Sequence, residues 1–217
     1  MTQTPSVSLV IPVYNQLMHT MQCVESIQRL PDQAAELIII DNASTDGTSE
    51  YLKGRDLRVI TNPMNLGCAK AWNQGVRASQ GDIIGILNND IVVTTGWLPA
   101  LLSFMERTGC GIVSPAMREG PLDYELDRYA AEYTTACRTA TRRGLRGPCM
   151  LIRRAVFDSI GLFDEGEPSM VHEMRHIIHR TRDEVIDAGH FMLKTDQSLA
   201  KMAAQKSRAT RDDYPHR

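Results

Sequence analysis

The stretch from Gly81 to Gly96, GDIIGILNNDIVVTTG, limits the possible folds more than any other part of the chain. A turn glycine opens it, Ile83, Ile84, Ile86 and Leu87 make a continuous apolar segment, and Asn88-Asn89-Asp90 ends that segment abruptly. A short apolar run bounded by turn residues reads as a strand covered on both faces, as in the middle of a parallel sheet. A carboxylate placed where such a strand emerges lies at the carboxyl edge of the sheet, the edge on which open α/β folds bind ligands. Hard divalent cations take oxygen donors and need few from protein when phosphates supply the rest. Asp90 is therefore read as a metal or diphosphate site, against the plainer reading of an Asp that turns the chain.

Upstream, the same pattern recurs. Residues 7 to 13, VSLVIPV, form an apolar strand that ends in Tyr14-Asn15, and residues 16 to 30 carry apolar side chains at helical spacing. Glu36 to Ile40 is a second buried strand that runs into Asp41-Asn42-Ala43-Ser44-Thr45-Asp46-Gly47, where Ser44 or Thr45 is expected to cap the next helix. Leu57 to Ile60 is a short third strand, and Asn65-Leu66-Gly67 opens a helix from about Cys68 to Ala78. Strands and helices that alternate in this way predict a parallel sheet with right-handed crossovers. Tyr14, Asp41 and Asp90 all fall at strand ends and so converge on one crevice, the expected seat of a nucleotide. No glycine-rich phosphate loop follows the first strand, where the chain reads Pro12-Val13-Tyr14-Asn15. Strand-end side chains and a metal must then hold the nucleotide.

The bulk numbers narrow the class. A length of 217 residues is enough for one domain with a full core, and a net charge of -2 gives no field to recruit nucleic acid or anionic membrane. Five scattered cysteines without paired metal spacing favour reduced thiols and a cytoplasmic setting. The sequence has neither a charged-then-apolar leader nor an apolar run of about 18 residues, so export and membrane spanning are not expected; peripheral membrane contact stays open.

Four segments, VSLVIPVYN, ELIIIDNASTDGT, NLGCAKAWNQGVRASQGDIIGILNNDIVV and RGPCMLIRRAVFDSIGLFDE, resemble family-two glycosyltransferases of the GT-A fold, particularly bacterial rhamnosyltransferase-like enzymes. They cover about residues 6 to 165, in order and at the usual spacings. The resemblance implies an α/β fold with a Rossmann-like, mostly parallel central sheet flanked by helices, followed by a short divergent C-terminal helical segment. It implies a single domain with a nucleotide-sugar-binding half over 1–115, an acceptor-side half over 116–195 and a tail over 196–217. Pro12, Tyr14, Asn15 and Asp41 would line the nucleoside pocket, Asp41 by accepting from base or ribose. Asn65, Gly67 and Asn73 would border the nucleotide-sugar. Asn88-Asn89-Asp90 corresponds to the family's D-x-D motif, with Asp90 on a divalent ion (Mn2+ or Mg2+). The implied reaction is an inverting displacement from a nucleotide-diphospho-sugar to a carbohydrate or lipid-linked acceptor, in surface polysaccharide or natural-product glycosylation.

The C-terminal third departs from that pattern. From Glu119 to Arg146 the sequence is polar, with Arg138, Arg142, Arg143 and Arg146 crowded near its end, and reads as a solvated loop or a flap that meets phosphates. Relatives carry E-D-x-D followed by an apolar residue and, three positions later, an arginine. Here the alignment is Glu173-Met174-Arg175-His176-Ile177-Ile178-His179-Arg180, so the usual base is replaced by Met174, whose thioether takes no proton at neutral pH. Glu173 is the preferred substitute base and His176 the alternative; a nucleotide-sugar-binding module without turnover is the rival reading. His172-Glu173-x-x-His176 also matches the zinc-peptidase pattern, with His172, His176 and His179 able to share a helix face. A zinc hydrolase would need its own fold and a third ligand, and this segment follows a complete transferase core. Phe191 to Leu193 is expected to be only a strand stub before a charged tail.

Overall fold

A computed structural model describes residues 5–29, 35–120, 123–136, 142–143, 147–166 and 186–195. Strand β1 (Val7–Val13) leads into helix α1 (Leu17–Gln28), β2 (Ala35–Asp41), α2 (Thr48–Lys53), β3 (Arg58–Thr61), α3 (Cys68–Ala78) and β4 (Ile83–Leu87). The second half contains β5 (Ile91–Val93), α4 (Trp97–Thr108), β6 (Ile112–Gly120), α5 (Leu126–Ala136), β7 (Arg142–Arg143), β8 (Cys149–Arg153), α6 (Arg154–Ile160) and β9 (Ile186–Thr195). The strand order is β3-β2-β1-β4-β8-β6-β9-β5, with β7 paired to β9 off that path.

The first four strands are mutually parallel, as the alternation of elements predicts. β1 is the pivot. The chain winds outward from it through β2 to β3, then returns to lay β4 on its other side, which makes the β1/β4 boundary the switch point of the sheet. Beyond β4 the sheet is mixed: β8 pairs antiparallel with β4 and β6, whereas β6 and β9 are parallel.

Two apolar layers hold the sheet. On one face Leu9, Ile11, Leu87 and Leu151 meet Val24, Trp97 and Leu101 from α1 and α4. On the other, Val10, Ile38, Ile84 and Ile152 meet Trp72, Val76 and Phe157 from α3 and α6. Each fully buried aliphatic side chain of this kind contributes roughly 1.5–3 kcal/mol of transfer free energy. The α3 layer is unusually close to the sheet because Gly75 faces β1. A Cβ at Gly75 would stand 2.1 Å from Val10 Cγ1, so any larger residue must displace strand or helix.

Several sequence expectations need correction. α2 is not capped by Ser44 or Thr45. Its N-cap is Gly47 at φ 97°, and Asp46 Oδ1 accepts from both the backbone N–H and the hydroxyl of Thr48. The polar stretch after Glu119 is not all loop, for it contains α5 and β7, the latter paired with β9 at Arg142↔Asp187. The expected stub near Phe191 is the ten-residue strand β9. Glu173, His176 and the other residues of the HExxH stretch lie outside the described residues, as do Arg138 and Arg146.

Candidate functional site

Parallel pairing puts the ends of β1, β2, β3 and β4 on one edge. Asp41 closes β2, and Asp90 follows β4 by three residues; β1, ending at Val13, lies between them. Two inter-strand steps of about 4.8 Å set the tips of β2 and β4 roughly 10 Å apart across β1.

The turn after β1 and the loop after β2 are tied together by hydrogen bonds. The Asn15 backbone N–H donates to Ser44 Oγ at 2.9 Å, and Asn15 Oδ1 accepts from the Thr45 N–H at 2.7 Å. The Leu17 N–H donates to Asp46 Oδ2 at 2.9 Å. Asn15, Gln16 and Ala43 all have positive φ, a left-handed conformation that costs an L-residue roughly 1–2 kcal/mol. These cross-loop bonds offset that strain. Pro12 sits in β1 opposite Ile40, and Tyr14 lies beyond the strand end with 48% of its surface exposed.

Asp41, at the β2 tip, is bonded to its own loop. Its carboxylate is 1% exposed, with Oδ1 accepting from the Ser44 N–H and Oδ2 from the Ser49 hydroxyl. These bonds tie the Asp41 carboxylate to the loop over 42–46 and to the start of α2. Asn73 is also turned inward. Its Nδ2 donates to the Phe163 carbonyl at 2.9 Å and to Glu165 Oε1 at 3.0 Å, while its Oδ1 accepts from the Phe163 N–H at 3.0 Å. The buried Asn73 amide therefore clamps the segment after α6 to α3 rather than presenting a polar group to the crevice.

The Asn88-Asn89-Asp90 turn rests on α1. Asn89 Nδ2 donates to Thr20 Oγ1 at 3.0 Å, the Cys23 thiol donates to the Asn88 carbonyl at 3.5 Å, and the Asn88 N–H donates to the Pro148 carbonyl at 2.8 Å. Burial, with the Asp90 carboxylate acting in the same direction, raises the Cys23 thiol to about 12. Among the described residues no three His, Cys, Asp or Glu side chains gather as a ready-made metal cage. A lone carboxylate flanked by two amides still suits a hard cation whose remaining ligands are phosphate oxygens and water. Thr20 and Cys23 are supports that sequence reading did not single out, because on a helix they look like ordinary core-facing residues.

On the β2/β3 side, Asn65 Oδ1 accepts from the Gly67 N–H at 2.9 Å, and Gly67, at φ 83°, is the N-cap of α3. The Gly67 carbonyl accepts from Asn42 Nδ2 at 3.3 Å. Asn42, Asn62 and Gln74 are further residues of this edge that the sequence pattern did not reveal; their neighbourhood exists only once β2, β3 and α3 have come together. Among the described residues no helix is long and apolar enough to cross a membrane.

Comparison with known proteins agrees with this fold. The mannosyltransferase PcManGT from Pyrobaculum calidifontis, in complex with GDP-Man and Mn2+, superposes with a TM-score of 0.66 at 20% identity, over 88% of this chain and 57% of that one. GalNAc-T7 with UDP, GalNAc and Mn2+ gives a TM-score of 0.69 at 17% identity, over 89% of this chain and 43% of that one. At such identities these likenesses establish the GT-A fold alone. Glycosyltransferase AglE of Haloferax volcanii is 31% identical over 121 residues, covering 52% of this chain and 40% of that protein. Protein y4gI of Sinorhizobium fredii is 27% identical over 194 residues, covering 77% of this chain and 21% of that protein. The chain thus spans less than half the length of these relatives. The family model "Glycosyl transferase family 2" matches residues 8–161, and the chain belongs to that family.

Proposed function

We propose that the chain is the donor-binding and catalytic domain of an inverting, metal-dependent glycosyltransferase. In this reading it moves a hexosyl or deoxyhexosyl group, rhamnosyl-like in type, from a nucleotide-diphospho-sugar to a carbohydrate or lipid-linked acceptor. The observation that carries the reading is the position of Asp90, beside the switch-point strand pair and on the same edge as the Asn15/Ser44 loop surface. Tyr14, Pro12 and the 42–46 loop bind the nucleoside, and Asn65-Leu66-Gly67 borders the diphospho-sugar. Asp90 holds the cation, assisted by the amides of Asn88 and Asn89, which α1 keeps in place. Bound there, a divalent cation supplies neutralisation of the charge that builds on the leaving diphosphate. The acceptor oxygen forms a bond to the anomeric carbon as the bond from that carbon to the diphosphate oxygen breaks, and a carboxylate base takes the hydroxyl proton. Glu173 is proposed as that base, with His176 as the alternative. A cytoplasmic role in polysaccharide assembly fits a donor of this class and the buried thiols of Cys23, Cys110 and Cys149.

Thermal-shift screening of nucleotide-sugars with and without Mn2+ tests the reading, since a ligand bound only by the folded state raises the melting temperature. The expected result is a metal-dependent rise with at least one donor, lost in Asp90→Ala. If no nucleotide or nucleotide-sugar shifts the wild-type transition in the presence of Mn2+ or Mg2+, the reading fails. Binding without hydrolysis or transfer would instead mark a nucleotide-sugar-binding module, as Met174 in the base position suggests.

A further inference from the structure

Three amides join the parallel strand tips to the start of α3. Asn62 Nδ2 donates to Asn42 Oδ1 at 2.7 Å and to Gln74 Oε1 at 2.8 Å, and Gln74 Nε2 returns a bond to Asn62 Oδ1 at 2.8 Å. Asn62 and Gln74 therefore form a closed amide pair across β3 and α3. Asn42 passes the connection on, its Nδ2 donating to the Gly67 carbonyl. The backbones of the same residues are fixed as well: the Asn42 N–H donates to Val13 O and the Asn62 N–H to Asp41 O, each at 2.8 Å. Asn42 and Asn62 are only 3% and 5% exposed.

Apolar residues of similar volume could fill this space at little net cost, because a buried hydrogen bond exchanges for water bonds and nets only about 1 kcal/mol. An apolar trio would leave the Gly67 carbonyl to the Ala71 N–H alone and remove the tie from α3 to the β2 tip. Gly67 has positive φ and nothing within 4 Å of where its Cβ would be, so side-chain packing does not fix the turn. Three polar contacts set its direction: Asn65 Oδ1 on its N–H, and Asn42 Nδ2 and the Ala71 N–H on its carbonyl, each of the last two at 3.3 Å. Closed amide networks in a low-dielectric interior are stiff, and each member restricts the next.

We propose that Asn42, Asn62 and Gln74 are positioning residues that lock the Asn65–Gly67 turn and the first turn of α3 against the β2 tip, and so set the affinity for the nucleoside diphosphate. The proposal rests on the donor-site reading above. Gln74 acts on the Gly67 turn from three hydrogen bonds away, through Asn62 and Asn42. Its effect is thus separable from any direct contact with ligand.

The test is calorimetric titration of UDP and of GDP, each with Mn2+, into four proteins. They are the wild type, the near-isosteric Gln74→Met, the exchanged pair Asn62→Gln/Gln74→Asn, and Val156→Ala, a buried α6 change that lowers stability elsewhere. Gln74→Met is expected to weaken binding at least tenfold. The exchanged pair keeps the summed side-chain length and is expected to return to within threefold of the wild type. Val156→Ala is expected to melt earlier yet bind within threefold of the wild type. The proposal is overturned if Gln74→Met binds as the wild type does, or if Val156→Ala loses as much affinity as Gln74→Met. A wild type that binds neither of these nor any other nucleoside diphosphate with Mn2+ refutes the donor-site reading, and this proposal with it.

Discussion

Replacing Asn73 by Ala separates two roles that the residue could have. If Asn73 touches the nucleotide-sugar, its loss should weaken ligand binding and leave folding nearly unchanged. The structure predicts the reverse. The amide makes three hydrogen bonds to residues ninety or more positions away, two of them with the backbone of Phe163. Truncation leaves the Phe163 N–H and carbonyl in the interior without those partners, and each stranded buried group costs roughly 1–3 kcal/mol. The bond to Glu165 counts little, because that side chain is 39% exposed and solvent screens it. Phe163 itself sits against Trp72 and Phe157, at centroid distances of 5.0 and 5.7 Å, so a loosened backbone also disturbs aromatic packing. The expected cost of Asn73→Ala is about 2–6 kcal/mol, read as a lower urea midpoint with an unchanged slope. Nucleotide affinity, measured at a temperature where the variant is folded, should stay within threefold of the wild type. A variant of wild-type stability with tenfold weaker binding would refute this account and restore Asn73 to the ligand.

Gly75→Ala should destabilise by about 2–3 kcal/mol, the usual cost of over-packing, although alanine is the better helix former. Because the clash is with Val10 Cγ1, adding Val10→Ala should recover part of that loss, and strictly additive denaturation energies would argue against the contact. Stability should also fall on acidification. Burial raises Glu36, but bonds from the Ser8 hydroxyl, the Gln80 N–H and Arg58 outweigh it and hold the carboxyl below its ordinary 4.5. Asp46 is likewise raised by burial and lowered more strongly by the Thr48 hydroxyl and the Leu17 N–H. Groups depressed in the folded state contribute stability above their unfolded pKa and lose it as pH falls through the folded value. Urea midpoints should therefore be flat near neutrality and drop below about pH 4.5; Glu36→Gln should lower the plateau and shrink the drop, and an unchanged pH profile would exclude the Glu36 contribution.

The parallel half of the fold could be read from the sequence because its signals are local. An apolar run such as VSLVIPV or DIIGIL declares a strand buried on both faces wherever it occurs, and β1, β2, β3 and β4 fall within two residues of the expected ranges. The helix inside 119–146 was not legible, since α5 has Ala130 as its sole buried residue and its polar sequence gives almost no apolar stripe. The cap of α2 was missed for a different reason. Asp46, Thr45 and Ser44 all have cap chemistry, and the choice among them is made by Asn15, which holds the N–H and hydroxyl groups of its partners from a distant turn.

The same distinction explains the site. Motif reading treats a polar residue at a strand end as facing ligand, because the strand's direction is all that the sequence reveals. Asp41, Asn15 and Asn73, for example, all make hydrogen bonds within the protein. A loop carrying Asn15, Gln16 and Ala43 in left-handed conformations does not hold its shape unaided, and neither does a turn built on Gly67. Each needs buried polar groups beneath it, and each has them: Asp41 under the 42–46 loop, the Asn42–Asn62–Gln74 amides under the 65–67 turn, Thr20 and Cys23 beside Asn88-Asn89-Asp90. Much of the polar character of this sheet edge is thus scaffolding for irregular backbone, which a strand's direction alone does not announce.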